Sequence, residues 1–318
     1  FLEICDALIL NFLLCRPNLN FLRVRIIMKE LTIISGKGGT GKTSITASFA
    51  ALAKNKVIVD ADVDAADLHL VIPPEVKTTT DFAGGSIAVI DPERCTECGD
   101  CRERCRFDAI SPDFVVDKLA CEGCGVCVYF CPAGAIDFPQ QICGQWFVSD
   151  TDYGTMIHAR LGIAEENSGL LVSLLRNKAR EMGEAEGREL LLVDGPPGIG
   201  CPVISSLTGS GAVLVITEPS LSGLHDLKRV NELARFLKVP AMACINKWDI
   251  NPDMSENIRE YARESDMVYA GDIPYDKDMT AAMVARTCLV KFSDGPAAGA
   301  IRSVWKNVAR FMDLKDIG

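Results

Sequence analysis

Positive charge is in short supply in this sequence. The 33 Lys and Arg stand against 43 Asp and Glu, for a net charge of −10. The chain therefore has no basic footprint, and no nucleic-acid partner is expected. Long apolar runs are also missing. The run "LILNFLLC" near the start is too short to span a bilayer. Its arginines, Arg16, Arg23 and Arg25, follow that run, whereas a secretory signal places its positive charge first. No other segment is long and apolar enough to cross a membrane, and a cytoplasmic location is expected. Histidine is scarce too: His69, His158 and His225 are scattered, and none is assigned a role.

Cysteine, by contrast, is abundant. Fourteen cysteines in 318 residues exceed what a generic cytosolic protein carries. Oxidised pairs would suit a secreted chain, but this length and the close clustering argue for metal ligation in a reducing compartment. A chain this long holds one large or two modest domains. It begins with Phe1, and Met28 stands directly before "KELTIISGKGG". Residues 1–27 are expected to be an upstream extension outside the fold, the alternative being an extra helix.

Five short apolar runs end in polar or turn residues: "LTIIS", "KVIVDADVD", "ELLLVDGPPG", "AVLVITEP" and "PAMACINKWD". Helical patterns separate most of them, as in Lys42–Asn55 and Leu221–Leu237. Continuous apolar strands alternating with helices imply an α/β fold, a doubly wound and mostly parallel sheet covered on both faces. Ligands bind such sheets at the carboxyl ends of the strands, where Asp60, Asp62, Asp194 and Asn246 fall. Between Ile87 and about Gln140 the texture changes to dense cysteine, glycine and proline. The expected organisation is a discontinuous α/β domain, 28–87 plus 141–318, interrupted by a small α+β module at 88–140.

That module is duplicated. "CTECGDCRERCRFDAI" matches "CEGCGVCVYFCPAGAI" at an offset of 26 residues. Each half reads C-x2-C-x2-C-x3-C, the pattern of two-cluster bacterial ferredoxins, in which the fourth cysteine of one run serves the other cluster. Cys95, Cys98, Cys101 and Cys131 are assigned to one [4Fe-4S] cluster, and Cys105, Cys121, Cys124 and Cys127 to a second. Structural zinc and a disulfide knot are the alternatives, although zinc sites favour two close pairs over two quartets. One departure from the pattern is Arg106, where the second half has Pro132 after its fourth cysteine. Ten acidic against five basic residues between Ala88 and Gln140 suit a basic electron-transfer partner, or simply a solvated acidic surface.

"SGKGGTGKTS" is a phosphate-binding loop. The N–H groups of Gly36, Lys37, Gly38, Gly39, Thr40, Gly41, Lys42 and Thr43, with Ser44 behind them, are expected to cradle phosphates at a helix start. Lys42 would bridge the β- and γ-phosphates, and the Thr43 hydroxyl would bind Mg²⁺. Asp194, before "GPPG", is placed for the Mg²⁺ water shell. Asp60 and Asp62 share one side of an extended chain. Asp60 joins the Mg²⁺ set, and Asp62 is chosen to orient or activate the attacking water. "NKWD" at Asn246–Asp249 is also the guanine-reading pattern of GTPases, so ATP and GTP both remain open at this point.

With "GKGGTGKT", "VIVDADVDAADLH", "LLVDGPPGIGCPVIS" and "GDIPYD" in place, the chain resembles the MinD/ParA/Mrp family of deviant Walker A ATPases over most of 28–318. With the insert, it resembles MinD-superfamily ATPases that carry a ferredoxin domain. The resemblance implies ATP over GTP, read in part through Asn246. It also implies a nucleotide-dependent homodimer, or a heterodimer with a related ATPase, in which Lys37 reaches the partner's phosphates. Asp62 becomes the hydrolytic residue, Asp194 the Walker B aspartate and "DGPPG" a γ-phosphate switch.

Cys143 and Cys201 lie outside the repeat. A cluster bridging two subunits through Cys201, and Cys143 with it, is weighed against buried, inert thiols, the reading also given to Cys244 and Cys288. The last helix, Ala300–Met312, carries an apolar stripe. Packing on the sheet is favoured for it over membrane contact. The expected function is a Mg-ATPase that couples dimer closure to electron transfer or metallocluster handling with a redox or cluster partner protein. The alternatives are a MinD/ParA-like spatial organiser with structural or sensory clusters, or an Mrp-like cluster carrier.

Overall fold

A computed structural model describes residues 28–162 and 167–315. The extension expected at 1–27 lies outside the described residues. The chain first lays down β1 (Lys29–Ser35), α1 (Lys42–Leu52), β2 (Lys56–Asp60), α2 (Leu68–Val71) and β3 (Glu75–Ser86). Next come β4 (Val89–Ile90), α3 (Asp100–Arg104), α4 (Val126–Phe130) and β5 (Ile136–Asp137). The main domain resumes with β6 (Gln140–Thr151), β7 (Gly154–Leu161), α5 (Ser168–Glu186), β8 (Leu190–Pro197) and α6 (Cys201–Leu207). It ends with β9 (Ala212–Thr217), α7 (Leu221–Phe236), β10 (Ala241–Asn246), α8 (Pro252–Glu264), β11 (Val268–Ile273), α9 (Lys277–Val284), α10 (Leu289–Phe292) and α11 (Pro296–Phe311).

The main sheet has nine strands in the order β11-β10-β9-β1-β8-β2-β7-β6-β3. All neighbours from β11 through β7 pair in parallel; β6 and β3 are antiparallel additions at the edge. The apolar runs become the central strands because both faces are covered. Leu31, Ile33 and Ile34 on β1 have no exposed surface, and burying each such side chain is worth about 1.5–3 kcal/mol. On α11, Ile301, Val304, Trp305 and Val308 are buried. The Trp305 ring lies 5.1 Å from that of Phe49 on α1. Most of the apolar stripe of the last helix thus packs on the domain, while Phe311 at its end is exposed. Among the described residues, no helix is long and apolar enough to cross a membrane.

Strands β3 and β6 form a long antiparallel arm. Its register runs from Glu75 opposite Asp150 to Ser86 opposite Gln140. Gly144 on β6 faces Leu161, the last residue of β7, so the arm leaves the sheet on the side of the strands' carboxyl ends. At its tip Val89 and Ile90 pair with Asp137 and Ile136, closing the cysteine-rich segment into a small two-stranded module. Ser86 touches that module directly: a Cβ on Gly123, whose φ is +59°, would lie 2.5 Å from the Ser86 carbonyl oxygen.

The duplication seen in sequence is also a duplication of backbone. Gly99 and Gly125, 26 residues apart, are the left-handed residues that start α3 and α4. Cys95 N–H bonds to Asp91 O and Cys121 N–H to Asp117 O, both at 3.0 Å. The halves also exchange bonds: Asp117 N–H donates to Ala109 O, and Asp91 N–H to Ala135 O, both at 2.8 Å.

Candidate functional site

The phosphate loop turns from β1 into α1 through two left-handed glycines, Gly39 (φ +79°) and Gly41 (φ +89°). At Gly41 the need is also spatial, because a Cβ would lie 2.4 Å from Asn246 Nδ2. Asn246 is 3% exposed, and its amide donates to Thr40 O at 2.7 Å. Asn246 therefore braces the loop from beneath. Lys247 continues this support, donating from Nζ to Gly39 O at 3.2 Å. Asp249, the guanine-reading position of the pattern, accepts from Tyr275 N–H at 2.7 Å. Thr40 Oγ1 is buried with no hydrogen-bond partner, a donor held in reserve inside a loop shaped for phosphate.

Lys42, Thr43 and Asp194 converge at the head of α1. Lys42 Nζ lies 3.0 Å from Asp194 Oδ1 and 3.5 Å from Asp62 Oδ2. The Thr43 hydroxyl donates to Asp194 Oδ2 at 2.9 Å. Parallel pairing of β2 with β8 sets Asp60 opposite Asp194. Asp60 accepts from Asp62 N–H at 3.3 Å and from Leu68 N–H at 3.2 Å. Ser44 is buried on α1, a Cβ on Gly36 would collide with Asp226, and Gly38 has open space on the side a Cβ would occupy.

Asp60, Asp62 and Lys42 are each shifted by burial and by their charged neighbours. Burial pushes the Asp62 carboxyl up to about 6, and Asp194 repulsion adds to this against the pull of Lys42. Burial and Asp194 also hold Asp60 well above the usual carboxylate range. Burial alone would lower Lys42, but Asp194, Asp62 and Asp60 turn the net shift upward. An excess of buried negative charge beside a lysine and a threonine hydroxyl fits a divalent cation together with a polyphosphate.

Lys37 points elsewhere. Its Nζ lies 2.5 Å from Glu218 Oε1 and 3.1 Å from Ser222 Oγ, at the start of α7. Glu218 also lies 3.7 Å from Lys247 Nζ.

Sequence reasoning missed several residues. Thr46 Oγ1 sits 2.7 Å from Asp194 Oδ1 and 3.0 Å from Lys42 O, with one proton between them. Its place one helical turn after Lys42 was the available signal. Glu218 and Ser222 follow β9 in "TEPSLS", whose proximity to Lys37 only the strand order reveals.

A line of contacts leads from the loop after β8 to the module. Gly198 N–H donates to Ser35 O at 2.8 Å, and α6 begins three residues later. A Cβ on Gly169, at the start of α5, would come 3.1 Å from Ser205 Oγ and 3.4 Å from Cys201 O. Arg176 on α5 clamps α6 by donating to Ser205 O and, at 3.0 Å, to Thr208 O. Asn167, just before α5, lies against Gly84 and Gly85 of the arm, whose strand β3 ends at Ser86, against Gly123 of the module.

The eight cysteines of the repeat divide between two cavities. One is lined by Cys95, Cys98, Cys101 and Cys131. The other is lined by Cys105, Cys121, Cys124 and Cys127. Each quartet thus includes one cysteine from the opposite half. Ala135 N–H points at Cys131 Sγ at 3.3 Å. Among the described residues, no three His, Cys, Asp or Glu side chains are drawn together closely enough to hold a single metal ion. Cys201 is exposed, while Cys143, Cys244 and Cys288 are buried.

Comparison with known proteins adds lineage to this geometry. Residues 31–286 match the family described as the CobQ/CobB/MinD/ParA nucleotide binding domain. An uncharacterized protein of Methanocaldococcus jannaschii is 32% identical over 290 residues, 90% of this chain and 98% of that one. An uncharacterized ATP-binding protein of the same organism is 24% identical over 288 residues, 88% of each chain. Among solved structures, the septum site-determining protein MinD of Pyrococcus horikoshii, complexed with Mg-ADP, superposes with a TM-score of 0.56. That match is 16% identical and covers 91% of this chain and 99% of MinD.

Proposed function

This chain belongs to the CobQ/CobB/MinD/ParA nucleotide-binding family, and from that premise we propose that it is a Mg-ATP-hydrolysing switch whose inserted module holds two [4Fe-4S] clusters. The convergence of Lys42, Thr43 and Asp194 within hydrogen-bonding reach carries the ATPase half. Lys42 would neutralise the β- and γ-phosphates, Thr43 and Asp194 would hold Mg²⁺ with its water, and Asp62 would orient the attacking water. Lys37 would leave Glu218 and serve the nucleotide of a second subunit. ATP is preferred to GTP because Asp249 already accepts from Tyr275 N–H.

The cluster half rests on the cysteines' division into two cavities, each lined by three from one run and one from the other. Soft thiols spread around a cavity fit a polynuclear cluster; one zinc ion needs its thiolates within about 2.3 Å of a single point. Bound clusters would supply one-electron chemistry. The contacts from α6 through Gly169 and Asn167 to the arm give switch motion a physical route to the module.

A second reading makes the chain a MinD/ParA-like organiser whose clusters are structural or sensory. The matched MinD structure and the matched family, whose description includes both MinD and ParA, support it. Transfer of a cluster to an acceptor protein, as in an Mrp-like carrier, is the third. Anaerobic purification with iron and sulfide analysis, then EPR with and without Mg-ATP, separates them. Reversible clusters whose spectrum or potential responds to Mg-ATP support coupled redox function. An unresponsive spectrum with ATP-dependent membrane or polymer association supports the organiser, and loss of clusters to an apo-acceptor on ATP addition supports the carrier. Protein that binds no iron refutes the cluster half.

A further inference from the structure

The arm runs into the module beside its second quartet. Beyond Ser86 and Gln140, Ile87 N–H donates to Pro139 O at 3.3 Å. The next residues on the two strands, Ala88 and Phe138, line the cavity of Cys105, Cys121, Cys124 and Cys127. Farther along the same strands, Ile90 and Ile136 pair with each other and line the cavity of Cys95, Cys98, Cys101 and Cys131. Along these strands the second quartet is proximal to the nucleotide domain and the first is distal.

The duplication shows how the arm treats one half. Gly123, between Cys121 and Cys124, has its counterpart 26 positions earlier in Glu97, between Cys95 and Cys98. Both backbones are left-handed, with φ of +59° and +54°. This turn therefore admits a side chain, and that of Glu97 is exposed. At Gly123 there is no room for one, because a Cβ would lie 2.5 Å from Ser86 O. Asp108 and Gly134 form a second matched left-handed pair, with φ of +50° and +59°. Nothing lies within 4 Å of where a Gly134 Cβ would be. The crowding at Gly123 thus comes from the arm, pressed on the Cys121–Cys124 loop, while the matching place in the first half carries an exposed side chain.

We propose that Ser86 and Gly123 form the contact through which nucleotide state acts on the second quartet selectively, leaving the first unresponsive. The loop between Cys121 and Cys124 presents two of the second quartet's thiols, so a shift of Ser86 moves those thiols first. Hydrogen bonds and solvent exposure at such sulfurs set the potential of a cluster they hold. Gly84 and Gly85, which lie against Asn167, lead straight into Ser86. This assignment rests on the reading that the module holds clusters.

The test compares Mg-ADP with Mg-ATP on the full chain, purified anaerobically and analysed for iron and sulfide. Hydrogen exchange at 121–125 should change by at least about twofold, and at 95–99 by less than about 1.3-fold. Redox-poised EPR of Cys98→Ala, which keeps the second quartet, should respond to Mg-ATP. Cys124→Ala, which keeps the first, should not. Gly123→Ala should abolish the exchange response at 121–125. Gly134→Ala, with the same φ and open space, should keep it. Where a variant fails to fold or to hold iron, the wild-type exchange comparison decides. Three outcomes overturn the proposal while leaving the cluster reading intact: segments that respond equally or not at all, a larger response at 95–99 or in Cys124→Ala, and a response unchanged in Gly123→Ala. Samples that contain no iron and sulfide overturn both.

Discussion

Lys37 and Glu218 form an ion pair within one chain, 2.5 Å from Nζ to Oε1, at the mouth of the phosphate loop. The side chains are 36% and 22% exposed, so solvent screens the pair and it contributes only about 0.2–1 kcal/mol. It is a weak hold, suited to release. Glu218→Gln should lower the ATP concentration needed for half-maximal dimerisation by roughly 1.5- to 5-fold. Lys37→Gln should impair ATP-driven dimerisation and hydrolysis more than nucleotide binding to the monomer. Light scattering against ATP concentration, beside equilibrium binding, measures both. Equal losses of binding and dimerisation in Lys37→Gln would remove its role across the interface.

Asp62 carries a pH signature. Its folded pKa, about 6, lies above the ordinary value of 3.8, so the folded state keeps a proton that the unfolded state releases. Stability from the neutral form is full below about 3.8 and is lost as pH rises to about 6. Asp62→Asn, which carries no charge, should therefore be more stable than wild type at pH 7.5. The Tm difference should shrink as pH falls to 4.5. For hydrolysis the direction reverses: kcat/KM of the wild type should drop below about pH 6 as the carboxylate is protonated. A flat rate between pH 7.5 and 5 would rule Asp62 out as the group that acts on water.

The central strands were legible because each is a continuous apolar run ending in a polar residue; "LTIIS" and "KVIVD" became β1 and β2 with little change. The duplication of the cysteine-rich segment was legible because its spacing repeats, and the backbone repeats with it at Gly99 and Gly125. The arm was not. On β3, Glu75 through Asp81 are all exposed, so no alternation of buried and exposed residues marks the strand. Asn246 was placed at the site because its strand end is visible in sequence, but the bond from its amide to Thr40 O, across 206 residues, was not. Partners set by strand order, such as Glu218 for Lys37, are out of reach of any local pattern.

Arg176 tests how α6 is held. It is 5% exposed, and its guanidinium meets Glu30 Oε1 at 2.6 Å while it clamps the end of α6. Arg176→Ala leaves Glu30 buried with only Arg180 to answer it, and should cost about 3–5 kcal/mol in chemical denaturation. Gly169→Ala is milder, because the added methyl meets Ser205 Oγ at 3.1 Å. That variant should bind Mg-ATP normally. Its nucleotide-dependent change in hydrogen exchange at 84–86 and 121–125 should be lost, while the change at 198–205 persists. Wild-type protein whose module shows no exchange response to nucleotide would sever the coupling.

Cysteine replacement separates shared ligation from local ligation. Cys131 follows α4 in the second half, yet it lines the cavity with Cys95, Cys98 and Cys101. If clusters follow the cavities, Cys131→Ala strips the first quartet of its fourth thiol and leaves Cys105, Cys121, Cys124 and Cys127 complete. Iron analysis should then show about half the wild-type iron. The EPR signal that remains should match that of Cys98→Ala, and Cys105→Ala should remove the other half. Were each run to ligate locally, Cys131→Ala and Cys124→Ala would instead leave the same signal. Cys201→Ser serves as the reference, since Cys201 is exposed on α6 and lines neither cavity. It should keep full iron content, and a loss of iron there would revive a cluster bridged between subunits.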